Sequence, residues 1–492
     1  MSKNKRLFSG CGRVPRRAFL ADLGMGFTGL ALAAMLQRDG LANDSAAWSP
    51  PTGQPHFPPK VKSVIWLFMI GGTSHLESFD YKPQLNKYAG MSIAETPHKA
   101  LLDKKFYDEN VRTLAPDLRK ILPKLLPLQT GFQKRGQSGI EVSDFWPHVG
   151  GCVDDLAIIR SMWCNDIDHG AQLQFHTGRN MLDGFFPTIG SWVHYGLGTL
   201  NENLPQFVVL GNPVAECCGG LEAHRANYLG PIHDGIPLVA DPLNPLAFGR
   251  PSEGIFREEQ QAEFGLLERL HGLSATEYPE DAKLQARIKS FELAFRMQRA
   301  VPEVFRFEQE TAATQKLYGF DDKVTEPFAK NCLASRRLVE RGVRFIQVYH
   351  GSPGGWDAHS NLKENHTANC AQVDKPIAGL LKDLKQRGML EETLVVWATE
   401  FGRSPGAEGT AAGRDHHPFG FSVWMAGGGL KRGVVHGATD ELGFMAVEDR
   451  HYVTDIHATV LYQLGLDSRR LEVPGRKRLD MEHGNVIREI LL

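Results

Sequence analysis

Histidine and carboxylate side chains recur in this sequence in glycine-rich turns that directly follow apolar runs; Asp357, His359, Glu400, His416 and His417 form the densest set. Residues of these types held in loops can bind a divalent metal or carry a reacting group. Asp357 and His359, two apart, can aim an oxygen and a nitrogen at one cation, a pairing that suits Zn, Mn or Ca in falling order of histidine compatibility. Glu400 ends one apolar run and His416-His417 precede the next, so a carboxylate faces an imidazole pair, and Arg403 or Arg414 can hold an anion. The segment 71–83 adds Thr73, Ser74, His75 and Asp80 among small residues that let backbone amides approach a ligand. The segment 165–179 adds Asp168, His169 and His176; on one helix the two histidines would stand roughly 10 Å apart, too far to chelate a single ion. Each set has a purely structural alternative: Asp80 paired with Lys82, Asp357 or Ser360 capping a helix, Glu400 paired with Arg403, and His176 in the core.

These turns need rigid elements to position them. The run at 64–70 is continuously apolar, as suits a strand covered on both faces, and further apolar-rich runs at 156–159, 207–210, 343–348, 394–398 and 421–426 also read as strands. Between them, Leu284, Ile288, Phe291 and Phe295, and again His366, Cys370, Val373 and Ile377, repeat at helical spacing. Gly342 and Gly388 fall where helices end before strands. Alternation of this kind predicts an α/β fold, a doubly wound, mostly parallel sheet sandwiched by helices, with the charged, helical 251–341 stretch as an insertion on its flank. Ligands of such sheets bind beyond the carboxyl ends of the strands, which directs attention to the loops after Ile70, Ile159, Val348, Ala398 and Ala426.

Composition narrows the function. The 492 residues are 42% apolar, with 55 Lys+Arg against 57 Asp+Glu and a net charge of -2. That balance gives no electrostatic support for nucleic-acid binding, and no run after residue 59 is apolar enough for stable membrane insertion. Arg16-Arg17-Ala18-Phe19-Leu20 before the weakly apolar run 24–36 resembles a twin-arginine export signal. The expected organisation is a signal over 1–47, a Pro-rich tether over 48–60 and one domain over 61–492, carried out of the cytoplasm to a periplasmic or other extracytoplasmic location by the twin-arginine translocase. Six cysteines follow the signal at spacings that match no zinc-binding or CxxC pattern, consistent with buried thiols or a few disulfides.

Taken together, Gly71-Gly72-Thr73-Ser74-His75, Gly355-Trp356-Asp357-Ala358-His359, Thr399-Glu400-Phe401-Gly402-Arg403 and Asp415-His416-His417-Pro418 resemble an exported bacterial family, number 1501 of the domain-of-unknown-function series, over nearly the whole domain. That family is placed in the alkaline phosphatase and sulfatase superfamily. The resemblance implies an alkaline phosphatase-like sheet with a metal site at the strand ends and suggests hydrolysis of phosphate or sulfate esters. It matches the superfamily's late Asp-and-His pair to Asp357 and His359 and its final histidine to His416 or His417. The superfamily's first-strand Asp falls at Gly71-Gly72, unless His75 or Asp80 substitutes, and its Asp-His dipeptide at Glu400-Phe401. Counting back from Thr177-Gly178-Arg179, its nucleophile falls at Asp168-His169, where no Cys or Ser stands. The expected site is therefore one divalent ion on Asp357, His359 and His416 or His417, with Glu400, His75, Asp80 and His169 as further candidates. Arg403 and Arg414 would bind the anion, and Asp168, Thr73, Ser74 or a metal-bound water would attack. The substrate would be a small anionic ester or a sulfated or phosphorylated glycan. The alternative is a non-catalytic binding or assembly protein for anionic glycans on the same fold.

Overall fold

Residues 63–69 are too apolar to tolerate water on either face, and the chain answers with helices on both. In the computed structural model, which describes residues 53–102, 124–212, 214–246, 282–407, 412–492 and some positions between 259 and 273, this run is strand β1 (Ser63–Met69) at the centre of a nine-stranded sheet. The other strands are β2 (Leu156–Trp163), β3 (Phe207–Leu210), β4 (Ile236–Leu238), β5 (Phe345–His350) and β6 (Thr393–Ala398). After a two-stranded hairpin of β7 (Gly402–Ala407) and β8 (Arg414–His417) come β9 (Phe421–Gly427) and β10 (Val434–His436). A small pair, β11 (Ala438–Thr439) and β12 (Ala446–Glu448), then precedes β13 (His451–Tyr452). The sheet order is β10-β2-β9-β6-β1-β5-β3-β4, with β13 also on β2.

Side chains alternate across β1 and so divide between two cores. Ile65, Leu67 and Met69 pack with helices α5 (Glu326–Glu340) and α6 (Leu362–Gln386). Val64, Trp66, Phe68 and Ile70 pack with α1 (Ala171–Thr177), α2 (Ile189–Leu197) and α7 (Val453–Gln463). This is the doubly wound arrangement that the apolar runs predict. The helical periodicity at 284–295 belongs to α3 (Ala282–Val304), which α4 (Ala312–Tyr318) follows, and Gly342 and Gly388 take the left-handed conformation at φ +82° and +70°. Among the described residues no helix is long and apolar enough to cross a membrane. The expected signal lies outside the described residues; of the Pro-rich stretch, His56 and Phe57 donate their amides to Gly465 at the end of α7.

One strand departs from the expected direction. β9 pairs antiparallel with both β6 and β2, whereas every other pairing in the sheet is parallel. The β7–β8 hairpin carries the chain across the carboxyl edge and forces β9 to enter the sheet from that side. The loop after Ala426 therefore lies at the amino edge, away from the other candidate loops, and the residues just before Phe421 take its place. β2 also runs on to Trp163, so its carboxyl-end loop begins beyond the expected Ile159.

The cores enclose several neutral histidines. Burial lowers His366 and His417 to about 3 and His457 to about 4. Between such a value and the unfolded pKa of about 6.5, only the unfolded chain takes up the proton. Stability from these groups is intact above about pH 6.5 and declines as pH falls toward about 4, each group contributing up to about 1.4 kcal/mol per pH unit. Urea midpoints are expected to fall steadily from about pH 7 to about pH 5; a constant midpoint would show that these imidazoles are not buried neutral.

Candidate metal centre

Four segments converge at the carboxyl edge. Gly71 and Gly72 form the turn just after β1, at φ +121° and +78°. A Cβ on Gly71 would stand 2.6 Å from the Asp357 amide, so only glycine lets the end of β1 pack against the turn after β5. That turn presents Asp357 and His359, the segment before α1 presents His169, and β8 presents His416.

Asp357 is the hub. Its Oδ1 lies 2.8 Å from His359 Nε2, 3.1 Å from His416 Nε2 and 2.7 Å from Arg403 Nη2, and its Oδ2 lies 3.2 Å from His169 Nε2. His359 Nε2 and His416 Nε2 are 3.1 Å apart. Against burial, which would raise it, these imidazoles and the Arg403 guanidinium hold the Asp357 carboxyl well below the usual range. Asp357, His359 and His169 keep 23–29% of their side-chain surface exposed, so the cluster has an open side, while His416 is almost fully buried.

The remaining nitrogen of each imidazole meets an acceptor. His416 Nδ1 donates to the Ile167 carbonyl at 2.9 Å, His169 Nδ1 faces Glu400 Oε1 at 3.1 Å, and His359 Nδ1 faces Asp415 Oδ1 at 3.8 Å. Backing of this kind fixes the ring and turns Nε2 toward a metal. For His416 the consequence is specific. With its proton on Nδ1, Nε2 offers a lone pair to the Asp357 carboxylate, and burial holds this imidazole well below its ordinary pKa, so a second proton does not bridge the two. Arg403 Nη2, 2.7 Å from the same Oδ1, already offsets the carboxylate charge, and a divalent ion set against the His416 lone pair would pair both acceptors. The donor set, three imidazole nitrogens and a carboxylate, fits Zn or Mn better than Ca, whose ligands are oxygens. His169 lies between two carboxylates; burial works against its charge, but Asp357 and Glu400 push it up to about 9. A metal taken up at this nitrogen would displace a proton, and its binding would be favoured by rising pH.

The other candidates take different places. Glu400 is fully buried behind His169, accepting from the Gly71 amide at 2.8 Å and the Gln172 side chain at 3.0 Å. It orients an imidazole rather than standing beside Asp357. Glu400→Ala is thus expected to weaken metal affinity about 10–100-fold without abolishing it, read by titration with a competing chelator; unchanged affinity would exclude this role. His417, one residue from His416 on β8, points to the opposite side as strand geometry demands and donates to the Phe444 carbonyl. His75 donates to Gly443 O, and Asp80 accepts from Thr439 and pairs with Lys82 at 3.1 Å. These three residues, expected as ligands, instead anchor the 439–444 excursion between β11 and β12.

Neither arginine faces an open anion site. Arg403, fully buried, donates to the carbonyls of Gly71, Gly72 and Arg414 as well as to Asp357, and so positions the hub carboxylate. Arg414 is enclosed with Glu77, at 2.8 Å, and with the Pro405 carbonyl, at 2.7 Å. Ser74 donates its hydroxyl to Glu77, and the Thr73 amide donates to Thr399 Oγ1 at 3.0 Å; both residues are buried. Asp168 is half-buried in the segment before α1, next to His169. His176 lies in the core, with its ring 4.4 Å from that of Phe68. The sequence patterns assign no role to Glu77 or Gln172, and Asp415 is marked only by its place in the Asp415-His416-His417-Pro418 motif.

The fold and the cluster define a doubly wound α/β protein with a histidine–carboxylate centre at its strand ends. Residues 61–491 match the family described as "Protein of unknown function (DUF1501)", and the chain belongs to that family. No curated protein matches its sequence. Among solved structures it is similar to the lipoteichoic acid synthase LtaP from Listeria monocytogenes, at 9% identity over 89% of this chain and 80% of that one with a TM-score of 0.37. It is also similar to the phosphonate monoester hydrolase SpPMH from Silicibacter pomeroyi, at 10% identity over 87% and 76% with a TM-score of 0.37. A third likeness is to TAB5 alkaline phosphatase, at 12% identity over 84% and 99% with a TM-score of 0.34.

Proposed function

We propose that this protein is a metal-dependent hydrolase of phosphate or sulfate esters, with Asp357, His359, His416 and His169 holding one divalent ion. The proposal rests on the convergence of three imidazole Nε2 atoms, those of His359, His416 and His169, within 3.2 Å of the Asp357 carboxylate. A bound ion would supply Lewis-acid polarisation of the ester oxygen. The chain's own residues do the rest: Arg403 fixes Asp357, the Ile167 carbonyl and Glu400 fix two imidazoles, and the exposed side of the cluster admits an anion. Asp168 is the nucleophile candidate by position, beside His169.

The second reading, a binding protein for anionic glycans without turnover, is favoured by the burial of Ser74 and Thr73, the two hydroxyl candidates. Phosphate and sulfate monoesters should be turned over by the purified chain, with turnover lost on chelation and restored by Zn or Mn. Retention of a sulfated polysaccharide by metal-loaded protein that turns over neither ester class would establish the second reading instead.

Export by the twin-arginine translocase belongs to the same proposal and rests on Arg16 and Arg17 before the apolar run 24–36. The variant Arg16→Lys/Arg17→Lys is expected to stay in the cytoplasm on cell fractionation; unchanged export would remove this element.

A further inference from the structure

Beside α1, outside the metal-ligand cluster, a tight turn carries two adjacent thiols. Cys217 is exposed and Cys218 is 6% exposed, and their Sγ atoms stand 2.7 Å apart. The turn is held from both sides: the Cys218 and Gly220 amides both donate to the Ala215 carbonyl, at 2.9 and 3.0 Å. Gly219 and Gly220, at φ +111° and +50°, complete it, and a Cβ on Gly219 would stand 3.2 Å from Leu173 Cβ of α1. The neighbouring residue of that helix, Gln172, donates to Glu400. The two sulfurs thus lie side by side in a hydrogen-bonded turn, whereas Cys152, Cys164, Cys332 and Cys370 are buried.

We propose that Cys217 and Cys218 are a vicinal dithiol that a low-molecular-weight disulfide, such as oxidised glutathione, closes to a disulfide within the turn, making it a redox-modification site beside the helix that supports the metal centre. The exposed Cys217 thiolate attacks one sulfur of the reagent, forming a mixed disulfide and releasing one thiolate. The Cys218 thiol gives its proton to solvent, and its sulfur attacks Cys217 Sγ, breaking the mixed disulfide and releasing the second thiolate. Two protein thiols are oxidised to one disulfide, and the reagent is reduced to two thiols. Burial pushes the Cys218 thiol upward, which makes the second step the slower one and accelerates it with rising pH.

The test uses the full chain, reduced, desalted and incubated with oxidised glutathione, then unfolded, alkylated and mapped by mass spectrometry. The peptide containing Cys217 and Cys218 is expected to lose two hydrogens and to take up neither glutathione nor alkylating reagent, and dithiothreitol should restore two alkylatable thiols. Cys218→Ser should stop at the glutathione adduct on Cys217. A lasting adduct on Cys217 in the unaltered chain, a bond joining two chains, or two thiols that stay reduced would each overturn the proposal. So would a folded Cys218→Ser chain that takes no adduct.

Discussion

Asp357→Ala is expected to strip bound divalent metal from the chain and to lower ester hydrolysis by more than the roughly 10–100-fold that loss of an outer ligand partner costs. The reason is the number of groups that meet on this one side chain. His359, His416, His169 and Arg403 all point at its two oxygens within 3.2 Å. Alanine leaves three imidazoles without the anion that gathers them and Arg403 without its only carboxylate among the described residues. The paired control is His416→Ala against His417→Ala. These neighbours are matched in chemistry and burial, but His416 faces Asp357 and His417 faces the Phe444 carbonyl. Elemental analysis of folded protein should show metal lost from Asp357→Ala and His416→Ala and kept by His417→Ala. Metal and rate both retained in Asp357→Ala would contradict the assignment.

The largest effect on stability is expected from Arg414→Met. Glu77 and Arg414 are fully buried and doubly paired, with Nη2 2.8 Å from Oε1 and Nε 3.1 Å from Oε2. Although burial would raise the Glu77 carboxyl, Arg414 holds it below its usual range. Removing one partner of a buried pair leaves the other charge uncompensated, at about 3–5 kcal/mol. A depressed carboxyl contributes stability above its unfolded pKa of about 4.3 and loses it as pH falls through the folded value. The penalty in Arg414→Met should therefore be full near pH 7 and should shrink on acidification as Glu77 takes up a proton. Urea unfolding measures it; a shift below about 0.5 kcal/mol, typical of surface substitutions, would contradict the buried pair.

Much of this arrangement is legible in the sequence, and the exceptions have physical causes. Asp357, His359 and His416 stand in turns next to apolar strands, where strand-end chemistry is expected, and the structure gathers them. The choice between His416 and His417 needed the strand itself, because adjacent residues differ only in the face they present. His75, Asp80 and His417 have side chains that suit a metal, yet their partners in the structure are the Gly443 and Phe444 carbonyls and the Thr439 hydroxyl. For His75 and Asp80 those partners lie more than 350 residues away in the chain. A backbone carbonyl leaves no trace in residue identity. The reversed direction of β9 was equally hidden, since a buried strand reads the same in either direction. It is also what brings His416 to the carboxyl edge.

The most direct test is anomalous X-ray scattering from crystals of the protein grown with Zn or Mn. A single strong peak is expected, bounded by Asp357, His359 and His416, with His169 at its side. A featureless map at that cluster, or a peak held by other residues alone, would contradict it.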